Sequence, residues 1–173
     1  MSVPRNSALE FSRPFDVRQL DHRAVQLVAD EAERAALARR FDIVRIDKLE
    51  AEVVLERDGE ALNAKGTLRA DIVQSCAISA EDLPVAVRET LAFRFIPAAG
   101  GHAPDEEIEL EAGDLDEIEF TGTTVDLGEA VAQSVALAID PFAVGPEAEA
   151  ARKLLKDENA SPFAALKGLK LEK

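Results

Sequence analysis

Aromatic residues are scarce in this chain of 173 residues: it has no Trp and no Tyr, and aromatics make up 5%. Nucleic-acid-binding surfaces that stack bases on exposed aromatic rings are therefore poorly supplied. The core must be formed by Leu, Val, Ile, Ala and the eight Phe. Hydrophobic residues reach 47%, which is enough for one ordinary folded domain.

Cysteine is nearly absent as well, since Cys76 is the single one. One cysteine excludes a disulfide within the chain and is typical of a reducing compartment. The first residues lack the positively charged start and apolar run of a secretory signal. No apolar run approaches the roughly 18 to 20 residues of a membrane span. We therefore expect a cytoplasmic protein that does not enter a membrane.

Positive charge is also in short supply: 34 acidic residues stand against 20 basic ones, a net charge of −14. Such a surface repels phosphate backbones at long range and favours basic partners. Residues 1–146 carry 29 acidic and 14 basic side chains, whereas residues 147–173 carry 5 and 6. The C-terminal segment is thus the part without an electrostatic bias against RNA. Acidity peaks at residues 105–119, with nine acidic residues and no basic one.

Two helix starts are marked by an aspartate with a glutamate three residues later, Asp30 with Glu33 and Asp126 with Glu129. The aspartate can accept hydrogen bonds from the free N–H groups of a first turn, and the glutamate can complete a capping box. A helix is predicted after each pair.

The second of these helices, over residues 127–139, is apolar on most faces and is expected to be the central buried helix, ended by Pro141. A charged, Ala-rich helix is predicted over 147–158. We therefore divide the chain into an α+β domain, residues 1–146, and a helical, partly flexible C-terminal tail, residues 147–173.

Alternation of apolar and polar residues indicates three long strands in sequence, at residues 49–56, 62–72 and 85–95. The Asp58-Gly59 pair between the first two is a hairpin signal. Residues 11–28 can add one or two strands, and residues 108–120 two short acidic ones. The prediction is an α+β fold: a curled antiparallel β-sheet or partly open barrel with a buried helix and a helical C-terminal tail.

Signatures of catalysis are missing, since no serine nucleophile elbow, phosphate-cradling glycine loop or metalloprotease motif is present. His22 and His102 have no Cys or His near them in sequence. The acids of residues 105–119 could coordinate divalent cations, but they alternate with apolar residues as on a solvated strand face. We expect no enzymatic activity, no catalytic residue, no metal site and no cofactor.

The C-terminal run at 161–170 combines an apolar stripe with lysines. It either docks on its own domain or forms a linear motif that binds another molecule. The candidate partner-binding residues are Pro162, Phe163, Leu166, Lys167, Leu169 and Lys170.

Three segments resemble the YceD-like family, bacterial and plastid proteins linked to accumulation of large-subunit ribosomal RNA. They are the strand 62–76 leading into CAIS at 76–79, VDLGE at 125–129 with the apolar helix up to AIDP at 138–141, and SPFAALKGLK at 161–170. The last is similar to the family's terminal Asn-Pro-Phe-Ala-x-Leu-x-x-Leu-Lys and is the most specific. The resemblance spans residues 45–170.

Two departures from that family concern cysteine. Cys76 matches the first cysteine of a Cys-x-x-Cys, but Ser79 stands at the second. Many members carry a further cysteine after the buried helix, where this chain has VGPE at 144–147. A structural zinc site needs four ligands, so any metal role in the wider family does not carry over. Cys76 shares the phase of Leu68 and Ile72 and is expected to point inward as a small apolar side chain.

The resemblance implies a non-catalytic ribosome biogenesis factor that supports accumulation of large-subunit ribosomal RNA. Its implied partner is a large-subunit ribosomal protein or assembly factor, with ribosomal RNA as a further candidate; the oligomeric state stays open. One alternative is an acidic adaptor or chaperone outside ribosome assembly. Another is a metal-dependent phosphoester hydrolase that uses the carboxylates of residues 105–119.

Overall fold

The structure is a computed structural model that describes residues 10–18, 24–98 and 116–158. Strands predominate in these ranges, with three helices, so the predicted α+β class is confirmed. The strands are β1 (Pro14–Asp16), β2 (Ala24–Val28), β3 (Arg45–Asp58), β4 (Ala61–Ser75), β5 (Asp82–Pro97), β6 (Asp116–Phe120) and β7 (Thr124–Asp126). The helices are α1 (Glu31–Arg40), α2 (Leu127–Ala138) and α3 (Ala148–Glu158).

The main sheet has the order β2-β3-β4-β5-β6. Strands β2 to β5 pair antiparallel, which confirms the predicted meander of three long strands. The β3–β4 hairpin turns at Asp58-Gly59, as the sequence predicts, and Gly59 has the positive φ of 63° that glycine adopts without strain. Residues 11–28, for which one or two strands are expected, contain two, β1 and β2.

The last pairing of the sheet differs from the prediction, because β6 runs parallel to β5. Side chains alternate with period two in parallel and antiparallel strands alike, so the sequence of β6 could not reveal its direction. Within the described ranges the sheet is mixed and open, with β2 and β6 at its edges, so it is not wholly antiparallel and the predicted partly open barrel is not confirmed. A second, two-stranded sheet pairs β1 antiparallel with β7.

One face of the long meander is apolar and forms the core of the protein. Alternate residues of each strand point to this inner face, and they are almost completely buried. They include Leu49, Ala51, Val53 and Leu55 of β3, Leu62, Ala64, Leu68, Ala70 and Ile72 of β4, and Val87, Leu91, Phe93 and Phe95 of β5.

Helix α1 begins with the predicted capping box. The Glu33 N–H donates to Asp30 Oδ1, and the Asp30 N–H donates to Glu33 Oε2, both at 2.8 Å. The helix then buries Leu37 and Ala38 in the core. Glu33 has a second role, since its carboxylate binds the Arg13 guanidinium through two contacts of 2.7 and 2.9 Å.

Helix α2 begins at the predicted aspartate, whose Oδ1 accepts a hydrogen bond from Glu129 N–H at 3.1 Å. Its buried residues include Leu127, Val131 and Val135, which belong to the core cluster. Burial on most faces, which the apolar sequence suggested, is not observed, and Leu137 is 85% exposed. Among the described elements nothing covers this side of α2.

Helix α3 matches the charged helix predicted for residues 147–158. Its first residue, Ala148, is buried, while Leu154 lies exposed. None of the three described helices combines the length and apolar composition that crossing a membrane requires.

The DLGE run at 126–129 joins α2 to the N-terminal segment. Asp126 accepts hydrogen bonds from Ser12 Oγ and from the Arg13 N–H as well as capping its own helix. Gly128 packs against the backbone, where an added Cβ would overlap the Phe11 carbonyl oxygen. Phe11 itself is fully buried in the core. The run therefore fixes the chain segment that places Phe11.

We expect Gly128→Ala to destabilise the fold by about 1–3 kcal/mol, because the new methyl group displaces the Phe11 backbone. Helix propensity alone predicts the opposite sign, a gain of about 0.5–1 kcal/mol. Urea unfolding followed by circular dichroism measures the difference. Ala136→Gly, at an exposed position of the same helix, calibrates the effect of propensity. A Gly128→Ala protein as stable as the wild type would contradict the packing role.

Candidate functional site

The six residues that sequence analysis proposed for partner binding lie outside the described residues, and so do His22, His102 and residues 105–115 of the acidic stretch. The remaining acids of that stretch belong to β6, where Asp116 and Glu117 are exposed. Within the described part of the chain, no group of three or more His, Cys, Asp or Glu is arranged to hold a metal ion.

The three most exposed large apolar side chains of the described surface lie near the end of α2 and beyond it, and a further exposed one, Val144, lies between them in the chain. Leu137 is 85% exposed, Phe142 80%, Leu154 66% and Val144 55%. We call residues 137–154 the post-α2 segment. Contiguous exposed apolar patches commonly mark surfaces for protein partners, and the occurrence of these residues close together in the chain, just before the predicted tail, makes this segment the candidate site.

Sequence analysis missed Phe142 and Val144. In the sequence, Pro141 marks the end of a helix, and VGPE at 144–147 is noted only for the cysteine that the chain lacks there. A signal for them is present in the sequence. Two large apolar residues lie between Pro141 and Pro146, in a loop without the helical or strand periodicity that would place them in the core.

The loop that carries Phe142 and Val144 is held by the turn between β4 and β5, residues 76–81. The Ala77 N–H donates to the Ala143 carbonyl at 2.9 Å. Just before the turn, Gln74 is 5% exposed, and its Nε2 donates to the Asp140 carbonyl at 2.6 Å. These contacts order the backbone on both sides of Phe142.

The carboxylate of Glu81 adds a further connection between turn and loop. Its Oε1 accepts hydrogen bonds from Ser79 Oγ and from the Glu147 N–H, both at 3.0 Å. Gly145 lies directly beside this oxygen, where a Cβ would overlap it. The site therefore requires a residue without a side chain at position 145, unless Glu81 moves away.

Cys76 forms the centre of the same contact. As predicted, its side chain is buried, with 3% exposed. The sulfur accepts hydrogen bonds from the Gly145 N–H at 3.3 Å and the Ser79 N–H at 3.4 Å. The Ser79 side chain, and then these N–H groups of Gly145 and Ser79, lower the pKa of Cys76 to about 7 by stabilising the thiolate.

This arrangement supports a structural role for the thiol. A side chain that is 3% exposed is poorly placed to react with a substrate, whereas its hydrogen bonds join two segments 69 residues apart in sequence. These contacts hold the loop after α2 in place and leave Phe142 and Val144 exposed to solvent.

Comparison with known proteins identifies one family. The family described as "Large ribosomal RNA subunit accumulation protein YceD" matches residues 64–170, which is more than half of the chain. No curated protein and no protein of solved structure matches significantly. The matched range begins within β4 and includes the turn at 76–81, helix α2 and the post-α2 segment.

The structure brings together the two places where this chain departs from the cysteine pattern of the resembled family. The backbone N–H groups of Ser79 and Gly145 both donate to the Cys76 sulfur. Residues at these places are thus neighbours in space, and in this chain hydrogen bonds connect them.

We expect Cys76→Ser to destabilise the protein more at pH 9 than at pH 6. The folded-state pKa of about 7 lies below the ordinary value of 9.0. The thiolate therefore contributes fully above about pH 9, and its contribution is lost as the pH falls through about 7. Serine keeps an acceptor but does not ionise in this range.

Urea unfolding in the presence of a reductant, at pH 6, 7, 8 and 9, measures this difference. Ser75→Ala, at an exposed neighbouring position, is the matched control and should differ from the wild type equally at every pH. A Cys76→Ser effect that is constant from pH 6 to pH 9 would show that folding does not lower the pKa of the thiol.

Proposed function

Because the chain belongs to the YceD family of large ribosomal RNA subunit accumulation proteins, we propose that it is a non-catalytic ribosome biogenesis factor. It supports accumulation of large-subunit ribosomal RNA by binding a large-subunit ribosomal protein or assembly factor, and ribosomal RNA as well. The family match over residues 64–170 is the observation that carries this proposal.

The binding surface of the proposed factor consists of the post-α2 segment and the tail that follows it. Phe142 and Val144 supply apolar contact on a loop that Cys76 and Glu81 hold in place. Residues 161–170 add a second apolar stripe with lysines. An aromatic side chain that is exposed in the free protein and buried in a complex is a common source of binding energy.

The acidity of the chain supports a basic protein partner. A net charge of −14 attracts the Lys- and Arg-rich proteins that neutralise ribosomal RNA. Complementary charge accelerates encounter and makes association sensitive to salt. The C-terminal segment, which is neutral to basic, can then contact ribosomal RNA without the electrostatic repulsion of an acidic surface.

We expect Phe142→Ala to weaken capture of the protein partner by about tenfold, the size of a moderate interface hot spot. The folded state should not change, since the side chain is 80% exposed. The measurement is recovery of large-subunit proteins on the immobilised full chain at low salt. Val28→Ala is the matched control, because Val28 is also exposed, at 59%, but lies on β2. Equal recovery by both variants would remove the post-α2 segment from the proposal.

Deleting residues 159–173 should abolish the same capture, if the tail carries the second contact. A partner set without large-subunit proteins would instead favour the acidic adaptor or chaperone outside ribosome assembly.

In cells depleted of the protein, we expect the level of large-subunit ribosomal RNA to fall relative to small-subunit RNA, because the factor proposed to support its accumulation is missing. The readout is the profile of ribosomal particles together with the two RNA levels. The full chain should restore the ratio, and the chain without residues 159–173 should not. Large-subunit and precursor RNA levels that do not respond to depletion would refute the proposed function.

A further inference from the structure

Two arginines stand directly opposite each other on the exposed face of the sheet. Arg69 of β4 pairs in register with Arg88 of β5, and both side chains are exposed. Directly opposed side chains of an antiparallel pair lie about 5 Å apart at Cβ, and like charges at this spacing are destabilising. The fold does not need this pair, since alternating residues of the same strands bury the core on the opposite face.

The neighbouring acids relieve this repulsion only in part. Arg88 donates to Asp71 Oδ1 at 2.8 Å and to the carbonyl oxygens of Val87 and Ala70 at 2.6 and 3.0 Å. Glu50 lies opposite Arg69 on β3, but its carboxylate binds Lys48 at 2.7 Å. Arg69 is consequently left without a side-chain hydrogen bond or ion pair to any described residue.

The same open arrangement continues along the strands. Lys65 is exposed, faces the same side as Arg69, and has no described side-chain partner. Between them Thr67 pairs with Thr90, and these residues place two hydroxyl groups on this face. Successive residues on one face are about 7 Å apart along a strand. We call Lys65, Arg69 and Arg88 the basic stripe.

The surroundings of the basic stripe favour a phosphate backbone over an acidic protein. On β4 and β5 the outer apolar residues in these rows are Ala86 and Ala92, which are small, and the larger exposed Val54 of β3 and Val28 of β2 lie to one side in the rows of Lys65 and Arg69. Protein interfaces gain most of their energy from large apolar and aromatic anchors. Contacts to phosphates need cations and hydroxyl donors and no apolar anchor.

Acidic residues border the stripe on both sides. Glu50 and Glu52 stand on β3, and Glu117 stands on β6 beyond Arg94. At 0.1 M salt, electrostatic interactions are screened beyond about 10 Å. A bound ligand therefore interacts mainly with the nearby cations of the stripe and only weakly with the net charge of the whole protein. The bordering carboxylates repel phosphates. An anionic backbone is therefore bound most favourably when it lies along β4 and β5.

We propose that the basic stripe binds the phosphate backbone of single-stranded RNA without sequence preference. The inference rests on the proposed function, which makes large-subunit ribosomal RNA the relevant ligand. It assigns direct RNA contact to the sheet, whereas the protein partner binds the post-α2 segment and the tail.

The test measures binding of the full chain to a fluorescein-labelled single-stranded RNA of about 20 nucleotides by fluorescence anisotropy. The salt concentration is varied between about 50 and 200 mM, and the RNA is long enough to cover a site of a few phosphates. Arg69→Ala with Arg88→Ala should weaken binding by about 25-fold at 0.1 M salt, about fivefold for each arginine removed. The slope of log affinity against log salt should decrease by about 1.4. Arg39→Ala with Arg45→Ala removes the same charge from exposed positions on α1 and at the start of β3, outside both proposed binding surfaces, and should change affinity little.

Stability provides a readout independent of RNA. Removing one of two opposed like charges should leave the urea midpoint of the Arg69→Ala protein unchanged or raised. Weaker RNA binding by this folded variant therefore reports on the interaction with RNA itself. If Arg69→Ala unfolds the chain, Arg88→Gln and Lys65→Gln measure the same stripe from its other members.

Three results would overturn the inference: no RNA binding by the wild type at the lowest salt, an equal reduction in the Arg39/Arg45 control, or polyglutamate binding with the same sensitivity to Arg69 and Arg88. The last would identify an acidic protein as the ligand. In each case, capture of large-subunit proteins and the effect of depletion remain separate measurements, so the proposed function stands or falls on its own.

Discussion

The apolar inner face of β3, β4 and β5 must be kept from water, and this requirement places the other described elements. Burial of apolar surface contributes about 25 cal/mol of stability for each Å². The many apolar residues on these three long strands therefore stabilise the fold more than any single polar contact does. Helices α1 and α2 and the segment around Phe11 cover this face. The opposite face stays in solvent and is free to carry charge.

Two sets of polar contacts hold these covering elements in position. Asp126 caps α2 and holds the backbone of Arg13, while Arg13 reaches Glu33 at the start of α1. Glu129 then binds Arg40 at the end of α1 through contacts of 2.7 and 2.8 Å. The DLGE run that carries the family resemblance therefore has a structural explanation, and partner binding must be sought on other residues.

The two proposed binding surfaces occupy parts of the molecule that the core does not use. The post-α2 segment carries exposed apolar side chains on a loop that contacts Cys76, whereas the basic stripe is charged. This difference in chemistry is the reason for proposing two different ligands, a protein and a phosphate backbone. An acidic chain gains from this separation, because cations concentrated on two central strands act locally while the remaining surface attracts basic proteins.

The sequence alone determined the α+β class, the three long strands, the Asp58-Gly59 turn and both aspartate caps, because each depends on residues close together in the chain. It could not determine the parallel β5–β6 pairing, the one-sided burial of α2, or the meeting of Cys76 with Gly145. It likewise could not place Arg69 opposite Arg88. These features join residues that are distant in the chain, 69 positions apart for Cys76 and Gly145, so they exist only after strand register and packing bring the segments together.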